Sequence, residues 1–224
     1  MAEPVFSKKT LAFLRALKRN NDREWFKAHK DDYETHVRGP LVRLLGRLET
    51  DLAAFAPEFV SHPKVSLFRP YRDTRFSSDK SPLKTNAAAH FPSRHLLKRG
   101  GGLYLEVTPG WVWIGGGIYM PDATDLLRIR ERIAREHAAL RRILKARSFV
   151  SAVGSMQGAT LTRVPRGFLP DHPAADLLRH KQFLAAKEYP AAFAYDPAFY
   201  PELLTVFRAI TPMVRFFNDA MAGA

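Results

Sequence analysis

Residues 103–119 read LYLEVTPGWVWIGGGIY, two runs of alternating or β-forming side chains on either side of Pro109-Gly110. In the first run, which starts at Leu103, apolar side chains alternate with aromatic or polar ones. The second run starts with WVWI, which is rich in residues that favour strands. A proline-glycine pair between two such runs is typical of a tight turn, so the segment predicts two neighbouring antiparallel strands.

Helical periodicity is found on both sides of these strands. On the N-terminal side it predicts a helix over residues 7–19, a second helix with Asn21 as its cap, and a third that starts at Pro40. On the C-terminal side, apolar spacing and turn residues predict further helices at residues 122–146, 149–154, 173–180 and 201–222.

Two other segments have features of strands. Side chains alternate over residues 65–75, although Pro70 either stops regular pairing there or confines the strand to a sheet edge. LTRVPRGF, residues 161–168, predicts a strand that leads into a turn. We therefore expect a single α+β domain over residues 1–224, with a helical N-terminal third, a central antiparallel sheet and C-terminal helices packed on it.

The composition restricts the chemistry and the partners. The chain of 224 residues has no cysteine, which excludes disulfides, thiolate catalysis and cysteine-ligated metals and fits a reducing compartment. The basic N-terminus lacks the apolar core of a signal peptide and no run is long enough to span a membrane, so we expect a cytoplasmic protein without a membrane partner. The net charge of +13 favours nucleic acid or phosphorylated metabolites, unless it reflects the arginine-rich composition of a high-GC genome.

The most unusual local composition is that of residues 69–85, RPYRDTRFSSDKSPLKT. Three arginines spaced by three residues can converge on a turning backbone, and guanidinium groups bind phosphate or carboxylate through paired N–H donors. Lysines, hydroxyls and a tyrosine wall would add to such a site, and the neighbouring helix offers one more arginine near its N-terminus. The predicted ligand-binding residues are Arg69, Tyr71, Arg72, Arg75, Lys80, Lys84 and Arg23.

Three carboxylates are candidates for catalysis. Asp73 and Asp79 lie among the arginines, where they would orient the guanidinium groups or act on a ligand. In the alternative, they only form ion pairs that tie a loop to the helices. Glu106 lies in mid-strand, where burial would raise its pKa towards the range of a general acid. If Glu106 instead shares a wet face with Tyr104, it is merely solvated.

Other familiar patterns are absent from the sequence. The eight histidines have no metal-ligand spacing, and His172, in DHP, is better explained by ordering of a turn, so we expect no metal site. The glycine triplets at 100–102 and 115–117 lack the residues that complete a phosphate loop, and close backbone packing explains them better. No serine-hydrolase signature occurs. The sequence therefore leaves open whether the protein is an enzyme and which cofactor it would use.

Five motifs occur in a characteristic order along the chain. Together they resemble the domain-of-unknown-function family 2461, conserved hypothetical proteins of bacteria and fungi, over nearly the whole length. The second motif is the most specific, although Leu83 stands where that family usually has tyrosine in SPYKT, which removes an aromatic contact. The resemblance implies a fold but names no reaction. The motifs are NNDREWFKAHKDDY (20–33), RPYRDTRFSSDKSPLKT (69–85), GLYLEV (102–107), GGGIYMP (115–121) and PRGFLPDHPAADLLRHKQF (165–183).

Three functional hypotheses follow. The first is a basic, arginine-rich pocket for an anionic small molecule that carries phosphate or carboxylate. The second is a nucleic-acid-binding module that uses a continuous basic surface, including the arginines between Arg128 and Arg147. The third is a structural or partner-binding domain in which the charges at residues 69–85 are all paired internally. We expect the first, because those residues combine convergent donors with hydroxyls and an aromatic side chain.

Overall fold

Four strands form one antiparallel sheet in the order β1-β2-β3-β4 in the computed structural model, which describes residues 4–223. The predicted pair of central strands is confirmed, with Val107 directly opposite Val112. The predicted fold class is also confirmed, because the N-terminal third is helical and the C-terminal helices pack on the sheet. The strands are β1 (Ala87–Pro92), β2 (Gly102–Val107), β3 (Trp111–Ile118) and β4 (Phe183–Pro190).

Helices precede and follow the sheet. Those predicted from periodicity are present, with ends that differ by only a few residues. Before the sheet lie α1 (Lys8–Arg19), α2 (Arg23–Ala28), α3 (Lys30–Tyr33), a π-helical turn (Glu34–Arg38), α4 (Gly39–Phe55) and α5 (Pro63–Ser66). Later in the chain lie α6 (Ala123–Lys145), α7 (Arg147–Val153), α8 (Ala175–Leu178), a 3-10 turn (Ala191–Tyr195) and α9 (Phe199–Ala222). Across residues 4–223, none of the helices combines the length and the apolarity needed to span a bilayer.

The N-terminal helices continue through Pro40 with a local change of winding. Pro40 has no N–H and cannot donate to the carbonyl of His36, four residues earlier. Thr10 Oγ1 donates to that carbonyl instead, at 2.7 Å. The backbone widens into the π turn just before the proline, and the threonine fastens α1 to it.

The start of α2 corrects one prediction. Asp22, and not Asn21, caps this helix, since its Oδ1 accepts a hydrogen bond from the Trp25 N–H at 2.7 Å. Asn21 instead donates to the Leu83 carbonyl and accepts from the Leu83 N–H, both at 3.0 Å. A carboxylate can only accept and so suits a helix N-terminus, whereas an amide can bond both groups of a distant backbone unit. We call this paired contact the Asn21 clamp.

The strands predicted at residues 65–75 and 161–168 are wrong. The first segment contains α5 and then only isolated bridges, such as that between Leu67 and Ala89. The second is irregular. Proline cannot donate to a ladder, and each segment carries one, Pro70 and Pro165.

Two of the four strands were missed by the sequence analysis. The sequence of β1 is AAAHFP, and that of β4 is FLAAKEYP. Alanine is depleted in strands, and neither run alternates cleanly between apolar and polar residues. Their register against β2 and β3, and not local preference, holds them in extended form.

The core lies between one face of the sheet and α9. Fifteen of the 24 residues in α9 are buried, and its Phe207 packs edge-on against Phe91 of β1. Asn218, also on α9, donates to the Gly101 carbonyl at 3.2 Å and accepts from the Gly101 N–H at 2.7 Å. Helix α9 therefore covers the inner face of the sheet, and it does not cover the outer face.

A buried carboxylate fastens the C-terminal end of α9. Asp125 is only 1% exposed, and its Oδ1 accepts hydrogen bonds from Arg99 at 2.5 Å and from Arg128 at 3.4 Å. Both arginines also donate to the Met221 carbonyl, at 3.0 and 3.4 Å. The carboxylate thus holds two cations against a helix C-terminus, where the helix dipole favours positive charge.

Replacing Gly117 by alanine should destabilise the fold. Gly117 has φ of +131°, and an added Cβ would lie 2.0 Å from the Phe183 carbonyl oxygen. We expect Gly117→Ala to lower the free energy of unfolding by about 3 kcal/mol, measured by urea denaturation. Gly110→Ala is the matched control, because an added Cβ would meet no atom within 4 Å, and should change stability by less than about 0.5 kcal/mol. Equal effects of the two substitutions would contradict this account of Gly117 in β3.

Removal of the Asp125 carboxylate should also destabilise the fold, because two arginines would lose their shared partner. We expect Asp125→Ala to reduce the free energy of unfolding by about 3 kcal/mol in urea denaturation. The control is Glu34→Ala, which breaks an exposed pair with Arg38 and should cost under about 1 kcal/mol. A loss for Asp125→Ala no larger than that of the control would show that the buried ion pairs are dispensable.

Candidate functional site

The predicted charged segment forms an irregular hairpin between α5 and β1. Its two limbs are joined by hydrogen bonds from the Arg72 N–H to the Pro82 carbonyl, 2.9 Å, and from the Lys84 N–H to the Pro70 carbonyl, 2.7 Å. The Asn21 clamp fixes the returning limb to the start of α2 at Leu83, whose side chain is only 1% exposed. The limb that carries Lys84 is therefore held in a defined position, although it belongs to no regular strand.

Two of the predicted arginines bind carboxylates of their own segment. Arg72 pairs with Asp79 and also reaches Ser77 Oγ. Arg75 bonds Asp73 through both Nε, at 3.0 Å, and Nη2, at 2.8 Å. Much of the donor capacity of these two arginines is therefore used inside the segment.

The two aspartates among the arginines are ionised partners of cations. Hydrogen bonds from Ser81 and from Arg72 hold the pKa of Asp79 far below its usual range. Hydrogen bonds from Arg75 likewise lower the pKa of Asp73. Neither group holds a proton near neutral pH, so neither can serve there as a general acid.

The predicted ligand-binding residues lie in different environments. Arg72 and Lys84 line one polar pocket, and Tyr71 lines a separate small cavity together with Phe26. Lys80 donates to the Thr74 carbonyl at 3.0 Å. Three of the predicted ligand-binding arginines line neither of these two pockets, namely Arg23, Arg69 and Arg75.

The polar pocket, called here the basic pocket, has a volume of about 410 Å³. Its charged lining contains three cations and one carboxylate, which is already paired with Arg72. The side chains of Lys18, Lys84 and Thr85 make no hydrogen bond to any of residues 4–223, so their donors are free for a ligand. The pocket is lined by Lys18, Asn21, Arg72, Asp79, Ser81, Leu83, Lys84, Thr85 and Asn86.

Lys84 is one of the two lysines in this lining. It is partly buried, and no carboxylate of residues 4–223 forms an ion pair with it. Its ammonium lies 4.6 Å from the centre of the Phe68 ring. Burial, and then the charge of Arg69, lower the pKa of Lys84, although Glu106 acts in the opposite sense. An anion next to this ammonium would remove the excess of positive potential.

Glu106 lies on the outer face of the sheet, as Tyr104 does, and not in the core. It is half-buried and accepts a hydrogen bond from Asn86 Nδ2. Burial, followed by the negative charge of Glu106, raises the pKa of Tyr104. Glu106 is therefore neither a fully buried acid nor a freely solvated one, and it faces a groove.

This groove, called here the sheet groove, has a volume of about 560 Å³ and opens on the outer face of the sheet. Aromatic rings and backbone form most of its wall, with one carboxylate and one imidazole among them. Burial lowers the pKa of the imidazole, that of His90, so this ring is neutral at neutral pH. The groove is lined by Phe68, His90, Gly102, Tyr104, Glu106, Trp111, Trp113, Gly116, Gly117, Tyr119 and Leu184.

The arginines of α6 are used mainly inside the protein. Arg130 donates to the carbonyls of Leu178 and His180. Arg132 and Arg141 bind further carboxylates and carbonyls, and Arg128 belongs to the buried Asp125 cluster. Arg135, Arg142 and Arg147 are exposed, so the predicted arginine face along this part of the chain stays a prediction.

The histidines do not form a metal centre in the part of the chain that the structure describes, where no group of three ligand-type side chains is close enough to hold an ion. His172 accepts a hydrogen bond from the Ala174 N–H at 3.0 Å and so orders a turn. His90 lines the sheet groove.

Several residues of the two pockets were missed by sequence reasoning. Lys18 carries no local signal, because only the fold brings the end of α1 next to residue 84, and Asn86 directly follows the charged segment 69–85. Trp113 and Tyr104 did carry a local signal. Each lies at one of the alternate positions of its strand whose side chains point away from the core. An aromatic pair on the face away from the core was a readable sign of a binding surface.

Comparisons with known proteins give a family but no described activity. No curated protein and no solved structure matches the chain. The family model described as "Conserved hypothetical protein (DUF2461)" matches residues 9–216. This match covers most of the chain and confirms the resemblance drawn from the motifs; the protein is a member of the DUF2461 family.

Proposed function

We propose that this protein binds a small ligand through a phosphate or carboxylate group in the basic pocket. The observation that carries the proposal is the state of Lys84, a partly buried ammonium without a carboxylate partner among residues 4–223 and close to a second cation. Partial burial removes some of the hydration of this ammonium, and a bound anion would compensate for that loss. The net charge of +13 would draw such a ligand towards the surface.

Neighbouring groups support the same site. Lys18 adds a second free ammonium, and Thr85 adds a hydroxyl that is not engaged elsewhere in residues 4–223. Arg72 has five N–H donors, of which Asp79 and Ser77 occupy only part. The ion pair with Asp79 holds the guanidinium at the pocket wall, where the remaining donors can reach a ligand.

The two other hypotheses account for less of this arrangement. The Arg75–Asp73 pair fits a purely structural segment, but such a segment would also give Lys84 a partner. A nucleic-acid surface would need the arginines of α6 free, and several of them bind carbonyls of the protein itself. We also keep the cytoplasm as the proposed location, because a chain without cysteine suits a reducing compartment.

One carboxylate near the basic pocket is a candidate for catalysis. Asp73 and Asp79 are held as ionised partners of arginines, so Glu106 is the best remaining candidate for proton transfer. It faces the sheet groove and adjoins the basic pocket through Asn86. A ligand bound by both pockets would place its central atoms near this carboxylate.

Loss of the Lys84 charge should weaken anion binding. We expect Lys84→Gln to raise the Kd for sulfate about tenfold, the usual cost of one charged hydrogen bond, in a titration followed by amide chemical shifts. Arg75→Gln is the control, because Arg75 lies outside the pocket lining and is paired with Asp73. Sulfate affinity that is unchanged in Lys84→Gln, or equally reduced in Arg75→Gln, would refute this site.

Sulfate binding should also depend on alkaline pH. Because the pKa of Lys84 lies below the ordinary lysine value of 10.5, its ammonium loses its proton at a lower pH than a free lysine does. Sulfate affinity should therefore be full at neutral pH and decline before pH 10.5 is reached, while sulfate itself keeps its charge. Lys84→Gln should show a weaker decline, and an identical pH profile in both proteins would argue against Lys84 as the binding cation.

A further inference from the structure

Binding of an anion in the basic pocket gives no role to the sheet groove, whose shape has a separate origin. Side chains that point away from the core alternate along β2 and β3, so Gly102 and Tyr104 share the outer face with Gly117 and Trp113. Gly102 and Gly117 are directly opposite each other in the register. The absence of side chains at this pair leaves a depression in the sheet beside the two aromatic rings.

Both glycines are required by their surroundings. An added Cβ at Gly102 would lie 2.5 Å from Nε2 of His90 and 2.4 Å from the Phe91 carbonyl oxygen. Gly117 has the positive φ already described. The depression is therefore a fixed part of the sheet, and its polar edge is a neutral imidazole.

The walls form a connected series of aromatic rings. The Phe68 ring meets the Tyr104 ring edge-on with centroids 6.2 Å apart, and the Tyr104 ring meets the Trp113 ring edge-on at 5.6 Å. Beyond them, Tyr119 lines the groove although its side chain is 64% exposed. Exposed aromatic side chains around one groove provide stacking surfaces for a flat ring.

The polar groups in the groove are few, which narrows the class of ligand. The ionisable groups that face it are His90, Tyr104, Glu106 and Tyr119. A nucleobase has two apolar faces and polar groups only at its edge, so it matches stacking walls with a carboxylate at one side.

The groove and the basic pocket share a wall. Phe68 lines the groove, and Lys84, which lines the basic pocket, lies over the Phe68 ring. Asn86, which also lines the basic pocket, donates to Glu106 of the groove. One ligand can therefore place an anionic group at Lys84 and a ring on the outer face of the sheet, with the Glu106 carboxylate close to the junction of the two pockets.

We infer that the sheet groove holds the base of a nucleoside monophosphate whose phosphate lies at Lys84 in the basic pocket. The position of the phosphate in this inference rests on the proposed function. The position of the base is supported independently, by the aromatic lining of the groove. A volume of about 560 Å³ accommodates one base with its ribose and not a run of stacked bases. The positive net charge matches the charge of such a ligand.

The test compares ligands that carry different parts of the nucleotide. Isothermal titration measures the affinities for AMP, adenosine, ribose 5-phosphate and sulfate. Stacking of one base should make AMP bind at least about tenfold more tightly than ribose 5-phosphate. Equal affinities for AMP and ribose 5-phosphate, with sulfate still bound, would overturn the inference and leave the proposed function standing.

Variants assign the two halves of the ligand to the two pockets. Trp113→Leu should reduce AMP affinity about tenfold and leave sulfate affinity unchanged, whereas Lys84→Gln should weaken both AMP and sulfate but not adenosine. If Trp113→Leu does not fold, Tyr119→Ser replaces it, because Tyr119 is largely exposed and lines the same groove. Phe76→Ser is the control: Phe76 is 95% exposed, lies outside the lining, and should have no effect on AMP binding.

Three further outcomes would overturn the inference. Binding of AMP that is unchanged in both Trp113→Leu and Tyr119→Ser would place the base elsewhere. Adenosine affinity equal to that of AMP, with no sulfate binding, would remove the phosphate half together with the proposed function. Binding of a single-stranded hexanucleotide at least about a hundredfold tighter than AMP, with steep salt dependence, would favour a nucleic-acid surface in place of a mononucleotide site.

Discussion

Burial of helix α9 against one face of the sheet is the interaction on which the other features depend. Fifteen of its 24 residues are buried, and they pack against the sheet as well as against α6 and α7. Residues such as Leu105 and Ile114 fill that interface and are fully buried. The strict alternation of strands then directs Tyr104, Glu106 and Trp113 to the opposite side. The groove is thus a geometric consequence of core formation.

Charge in this protein serves two different purposes. Most of the arginines of α6, and the Arg99–Asp125 cluster, fasten helices to one another by bonds to carboxylates and to backbone carbonyls. Lys84 and Lys18, in contrast, lie at a pocket and bond no acceptor in the part of the chain described here. The number of positive residues does not distinguish these two roles. A cation that donates to acceptors of the protein stabilises the fold, whereas a cation with free donors can bind a ligand.

The parts of the fold that were predictable from the sequence are those with strong local periodicity. The long helices and the strands around Pro109-Gly110 have clear patterns, and the structure confirms them. The AAAHFP strand was not predictable, since alanine has little preference for extended backbone and pairing with β2 supplies the order. Asn21 and Asp22 are both good helix caps, and only the position of Leu83 decides which of them caps the helix.

The candidate site likewise has parts that were predictable from the sequence and parts that were not. Arg72 and Lys84 were identified from the composition of one short segment, but Lys18 comes from α1, far earlier in the chain. That two arginines would form local ion pairs while Lys84 forms none depends on side-chain positions that a sequence does not specify. The outward direction of Glu106 and Trp113 followed from alternation, once the core face was known.

The placement of the tryptophans has a practical consequence. The chain has three, and two of them, Trp111 and Trp113, border the sheet groove. The third, Trp25, lies on α2 and stacks on His29 at 4.0 Å. Indole emission responds to the polarity and the rings around it, so a ligand in the groove should change the emission of two of the three tryptophans. Intrinsic fluorescence can therefore report occupancy of the sheet groove without an added label.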